Sequence, residues 1–174
     1  IRSIIKDSTG KMWISTYRNY GLICFDGSNA TAYTVADGLL SERVRAICER
    51  DDGSLLVANT GGVCVIENNQ ITDKWGVSEG ITNPETLTVA AAPNGDILVG
   101  SDGGGIYIVN KKSVRCIDTE NGLLSNIIMR IKYDKKRDLF WIVTSNSLAW
   151  MTTDYKVTTI REFPFSNNFD LYEN

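Results

Sequence analysis

The residues best equipped to bind something sit in TYRNYG, residues 16–21. Tyr17 and Tyr20 offer aromatic faces on which the apolar side of a sugar ring can stack. Arg18 and Asn19 between them can fork hydrogen bonds to hydroxyls or carboxylates. The same stretch also suits a solvated loop whose tyrosines shield an edge of the fold. Further polar candidates recur beside short apolar runs: Arg43 in LLSER, Asn59 in LLVAN, Asp102 in SDGGG and Asn126 in LLSN.

Several chemistries are disfavoured at once. Histidine is absent. That removes the commonest general base, the usual activator of nucleophiles and the usual zinc ligand. No catalytic residue, metal or other cofactor is expected, and the chain reads as a non-enzyme. Cys24, Cys48, Cys64 and Cys116 form no CxxC pair, and each lies in an apolar run, as small buried hydrophobes do. Whether any two are paired stays open. SDGGGIY, residues 101–107, lacks the Lys-Ser/Thr ending and following helix of a phosphate loop. Asp102 has no companion carboxylates for calcium. The net charge of −3 and the lack of a basic stripe argue against nucleic acid. No apolar run approaches the roughly 20 residues of a membrane span. The chain opens mid-pattern at IRSIIKD, which reads as a boundary within a longer protein.

A repeat supplies the elements that position these residues. The phrase DGLLSER, residues 37–43, returns as ENGLLSN, residues 120–126, with a worn version, EGITNPE, at 79–85. Gly38, Gly80 and Gly122 lie 42 residues apart. Turn glycines keep nearly the same beat, with steps of 43 and 42: Gly10 in DSTGK, Gly53 in RDDGS and Gly95 in APNGD. One further step reaches Arg137 in DKKRD, where the polarity remains and the glycine does not. An apolar run follows each turn: MWIST, LLVAN, ILVGS and FWIVT. Each period holds four short β-branched runs bounded by Gly, Asp and Asn, and no segment sustains a helical period.

Four antiparallel strands recurring about every 40–50 residues mark a β-propeller blade. A blade cannot bury both faces alone, so blades stack side by side. The GLLS phrase then punctuates them, its glycine turning the chain and its leucines plugging the gap to the next blade. The fold expected is all-β, with blades at about 1–37, 38–79, 80–121 and 122–162, and the start of another at 163–174. Loose ends at both termini suggest part of a larger propeller of about seven blades, or a ring completed by a second copy. A β-solenoid or open meander would repeat differently, usually at a shorter period. Propeller topology gathers the second-to-third-strand turns and the crossings on one face. That face would carry Tyr17, Arg18, Asn19, Tyr20, Arg43, Asn59, Asp102 and Asn126, together with Ser41, Glu42, Thr60, Asn83, Glu85, Ser125, Ser145 and Asn146.

The repeat resembles that of the two-component regulator propeller family. Asp7, Gly10, Trp13, Ile14, Thr16, Gly21, Gly38, Leu39 and Ser41 follow its pattern in the first blade. Leu56 and Leu98 replace the tryptophan in the second and third blades, and Trp141, Ile142 and Thr144 restore the run in the fourth. The resemblance implies an extracytoplasmic sensor segment of a bacterial membrane receptor, its output a histidine kinase or diguanylate cyclase. It also implies an oligosaccharide or other small-molecule ligand, further blades or a second copy as partner, and membrane attachment only through flanking regions. A protein-interaction or dimerisation scaffold without a small ligand is the alternative.

Overall fold

The computed structural model describes residues 1–18 and 20–162. Asn19 and the expected start of a further blade at 163–174 lie outside the described residues. The described strands form four four-stranded sheets. The first holds β1 (Ser3–Lys6), β2 (Met12–Ser15), β3 (Leu22–Phe25) and β4 (Ala30–Tyr33). The second holds β5 (Val44–Glu49), β6 (Leu55–Asn59), β7 (Gly62–Glu67) and β8 (Gln70–Trp75). The third holds β9 (Thr86–Ala91), β10 (Ile97–Ser101), β11 (Ile106–Val109) and β12 (Val114–Ile117). The fourth holds β13 (Ile128–Asp134), β14 (Leu139–Thr144), β15 (Ser147–Thr152) and β16 (Val157–Glu162). Every sheet is an antiparallel meander in chain order. The first strands of successive sheets approach one another, as the inner strands of a propeller do.

Period-2 alternation explains how the sheets hold together. In the second sheet, Leu55, Val57, Cys64 and Ile66 pack toward the first sheet, against Trp13, Leu22 and Tyr33. Their neighbours Leu56, Ala58, Val63 and Val65 point the other way and pack on Val89, Val99 and Tyr107 of the third. The third sheet does the same, sending Leu98, Ile106 and Ile108 to Phe140, Ile142 and Met151 of the fourth. A run such as LLVAN is therefore apolar throughout, because both of its faces are interfaces. The outer faces of the end sheets are only partly covered: Ile4, Ile14 and Ile23 on the first, Trp141, Leu148 and Trp150 on the fourth.

The recurring phrase has a consistent geometry. β4, β8 and β12 each lead into a single 3-10 turn, Val35–Asp37, Val77–Glu79 and Thr119–Asn121. Asp37, Glu79 and Asn121 reach back to the amides of Thr34, Gly76 and Asp118; Thr34 and Asp118 reciprocate by accepting from the amides of Ala36 and Glu120, which Gly76 cannot do. Gly38, Gly80 and Gly122 then take φ of 110°, 112° and 103°, which reverses the chain toward the next sheet. Of the two residues that follow, the first is the plug: Leu39, Ile81 and Leu123 are buried. The second is looser, and Leu124 is 42% exposed. Ser41, Asn83 and Ser125 accept from the amides of Arg43, Glu85 and Ile127, which turns the chain into the next inner strand.

The β1–β2, β5–β6 and β9–β10 turns are glycine hairpins, at Gly10, Gly53 and Gly95. The fourth differs because its turn is one residue longer, and Asp138 takes the left-handed position at φ 54°. Trp13 packs between the first and second sheets, whereas Trp141, at the equivalent position, lies on the half-covered outer face of the fourth. Their indole N–H groups donate to Asp7 and Asp134 at 2.7 and 3.1 Å.

Candidate functional site

Residues 16–21 form the longest link between second and third strands; its counterparts are 60–61, 102–105 and 145–146. The Val44 amide donates to the Thr16 carbonyl at 2.9 Å, pinning this link to the first residue of β5. Behind it, Thr60 donates to the Arg43 carbonyl at 3.0 Å. The same frame recurs as Asp102 to Glu85 and Ser145 to Ile127, so these loops and the crossings share one face.

On this frame three arginines converge on one ring. The guanidinium carbons of Arg45, Arg2 and Arg43 lie 4.5, 5.1 and 5.7 Å from the Tyr17 ring centroid. Arg45 Nη2 also donates to Tyr17 Oη at 3.2 Å. Arg45 owes its direction to a bulge, since the β5–β6 register shifts between Val44 and Ala46. Tyr17 and Arg45 are half-buried, while Arg2 and Arg43 are exposed.

The electrostatics of the cluster are one-sided. Among the described residues none of these three arginines is ion-paired; ion pairs elsewhere include those of Lys111 with Asp73, Lys135 with Asp51, Arg137 with Asp134 and Lys156 with Asp154. Arg45 Nε is buried without a partner. Like charges gathered round one ring repel one another, and an exposed cation–π contact returns only about 0.5–1 kcal/mol. The ring steadies the arginines and does not neutralise them.

The sequence candidates divide between two junctions. Tyr17 and Arg43 meet where the first and second sheets join. Arg18 and Tyr20 stay at the rim, exposed, with Tyr20 63% accessible. Asp102 and Asn126 sit instead where the third and fourth sheets join, linked by the Gly103 amide donating to the Asn126 carbonyl at 3.1 Å. Asn126 Oδ1 is used by the Thr119 amide, a structural contact, and the Asp102 side chain is exposed. Asn59, expected on the open face, is 0% exposed. As the last residue of β6 it pairs with both Val44 and Gly62, and Thr86 Oγ1 closes over it by donating to its carbonyl at 2.7 Å. Arg2 and Arg45 were absent from the candidates. Their signal was the repeat itself, IRSI against VRAI, with arginine at equivalent positions.

Asp134 and the thiols of Cys48 and Cys64 are committed to structure. Asp134 is held down to about 2 by hydrogen bonds from Arg137 and then from Trp141. Burial pushes the Cys48 and Cys64 thiols up, away from the reactive thiolate form. All four cysteines are free. Among the described residues no three His, Cys, Asp or Glu side chains cluster as metal ligands. A concavity of about 460 Å³ runs between β5, β9 and β13 at the opposite, hairpin end, beside Cys48, Ala90 and Lys132. Among the described residues no helix is long and apolar enough to cross a membrane.

The chain matches no protein-family model and no curated protein. Its backbone does match solved structures. The extracellular domain of the hybrid two-component system BT4673 from B. thetaiotaomicron superposes with a TM-score of 0.78 at 18% identity, over 97% of this chain and 25% of that one. That of BT3049 from the same organism gives 0.71 at 22% identity, over 96% and 22%. Virginiamycin B lyase from Staphylococcus aureus gives 0.74 at 16% identity, over 92% and 55%. The chain thus spans about a quarter or less of the two extracellular domains and about half of the lyase. At such identities the likeness establishes the fold, and the fold is a β-propeller.

Proposed function

We propose that this chain is a ligand-recognising segment of the extracytoplasmic sensor region of a bacterial signal-transduction receptor, such as a two-component histidine kinase or a diguanylate cyclase. It binds its ligand on the loop face and does no chemistry on it. The observation that carries this reading is the Tyr17 ring with three unpaired guanidinium groups gathered round it. Such a constellation recognises; it offers no nucleophile and no general base. The likeness to extracellular domains of two-component systems supports the cellular setting. The lyase shares the fold, and folds host many functions, so the fold alone does not choose between them; the Tyr17 cluster favours recognition. In keeping with the same reading, the half-covered outer faces of the first and fourth sheets would meet further blades or a second copy.

The experiment is a blot of the natural parent protein with an antibody to this chain. Membrane and soluble fractions are compared, with and without external protease. A large, membrane-bound, protease-accessible band is expected. A small soluble band protected inside the cell would overturn the receptor reading.

A further inference from the structure

We infer that the Tyr17 cluster is a subsite for an oxyanion, the carboxylate or sulfate of a small acidic ligand, held between Arg2, Arg43 and Arg45. This rests on the reading of the loop face as the binding face. Three observations carry it. The first is unspent capacity: each guanidinium has five N–H donors, and only Arg45 Nη2 has a side-chain acceptor, Tyr17 Oη. The buried Arg45 Nε–H lacks any acceptor in the protein.

The second is that the fold does not require the charge. Arg2 and Arg45 are 43 residues apart, as are Gly10 and Gly53. The next equivalent positions are Leu87 and Met129, each in the same register shift as Arg45. The same backbone feature therefore accepts apolar residues in the third and fourth sheets. Arginine appears only where Tyr17 lies across from it.

The third is an anchored backbone. The main chain of Arg43 is fixed from both sides by Ser41 Oγ and the Thr60 amide, that of Tyr17 by its neighbour Thr16, and that of Arg2 by its amide on the Ser15 carbonyl. Guanidinium groups gathered round one ring on anchored backbone, without carboxylates of their own, match the paired oxygens of carboxylate or sulfate. The chain as a whole is acidic, at −3, so the positive charge here is a local feature.

The test is an NMR titration of the whole 174-residue chain at fixed ionic strength, following arginine Nε–Hε signals and the Tyr17 ring. The probes are sodium D-glucuronate, inorganic sulfate and the neutral counterpart D-glucose. Glucuronate or sulfate should give saturable shifts confined to Arg2, Arg43, Arg45 and Tyr17. Arg45→Gln should weaken that binding about ten-fold or more, and Arg18→Gln should leave it within about two-fold. Should Arg45→Gln lose its dispersed amide spectrum, Arg2→Gln, at an exposed position ahead of β1, provides the same comparison. Shifts that never saturate, or that spread equally over Arg18, Arg50 and Arg115, would overturn the inference. Glucose moving Tyr17 as strongly as glucuronate would also overturn it, while leaving ligand recognition on this face intact. The receptor reading is judged separately, by the fractionation blot.

Discussion

Arg45 and Tyr17 are 28 residues apart and belong to neighbouring sheets, yet Arg45 Nη2 donates to Tyr17 Oη at 3.2 Å with its guanidinium carbon 4.5 Å from the ring centroid. The contact is a seam as well as a site, because it joins the link after β2 to the first strand of the next sheet. Removing the phenol oxygen alone, in Tyr17→Phe, should cost about 1 kcal/mol of stability, the worth of one hydrogen bond to a charged group at a half-buried position. Arg18→Ala, at the solvated rim, should stay within about 0.5 kcal/mol. Urea unfolding of the two variants beside the parent chain measures both.

The two apolar residues of the crossing phrase should behave unequally. Ile81 is 0% exposed and fills the seam between the second and third sheets, so Ile81→Ala should cost about 2–5 kcal/mol. Leu124, in the looser second position, should tolerate alanine within about 0.5 kcal/mol. Equal losses in a denaturant titration would mean that both residues plug the seam.

Gly62 is held in place by close approach as well as by its dihedral. At φ 138°, an added Cβ would lie 2.0 Å from the Trp75 carbonyl oxygen, which no rotamer change relieves. Gly62→Ala should therefore break the start of the β7–β8 pairing and cost more than about 3 kcal/mol. Gly53, at φ 82° with open space around it, should lose only the left-handed backbone penalty of about 1–2 kcal/mol on change to alanine. Thermal unfolding, with amide exchange at Val63 and Trp75, separates the two cases.

Acid should reach the fourth sheet through Asp134. Its folded-state pKa, about 2, lies below the ordinary 3.8, so its ionised form is favoured by folding. That contribution is complete above the unfolded value and fades as pH falls from about 4 through 2. Asp134→Asn should lower the melting temperature at pH 7, and the gap from the parent chain should close toward pH 2. A gap that is constant across that range would place the stabilisation in the neutral hydrogen bonds of the turn.

Much of the architecture could be read from local chemistry. Gly10, Gly53 and Gly95 mark hairpins because few other residues take positive φ cheaply. LLVAN and ILVGS read as buried strands because both of their faces are apolar. The one-residue extension of the fourth turn was less legible, since Asp138 can adopt the left-handed position that glycine marks elsewhere. Asn59 misled for a different reason. Its composition belongs on a loop, but the last rung of β6 and the cover supplied by Thr86 bury it.

The sequence by itself determined the repeat, the strands within it and the punctuation between sheets, because turn dihedrals and period-2 burial act over a few residues. The tertiary structure decided which polar residues share a site. Arg2, Arg43 and Arg45 reach Tyr17 only because two sheets pack side by side on Trp13, Val44 and Val57 and a bulge turns Arg45 toward the seam. Asp102 and Asn126, similar in type and in loop position, fall at another junction, because position around the ring is set by how sheets stack and not by the chemistry of any one loop.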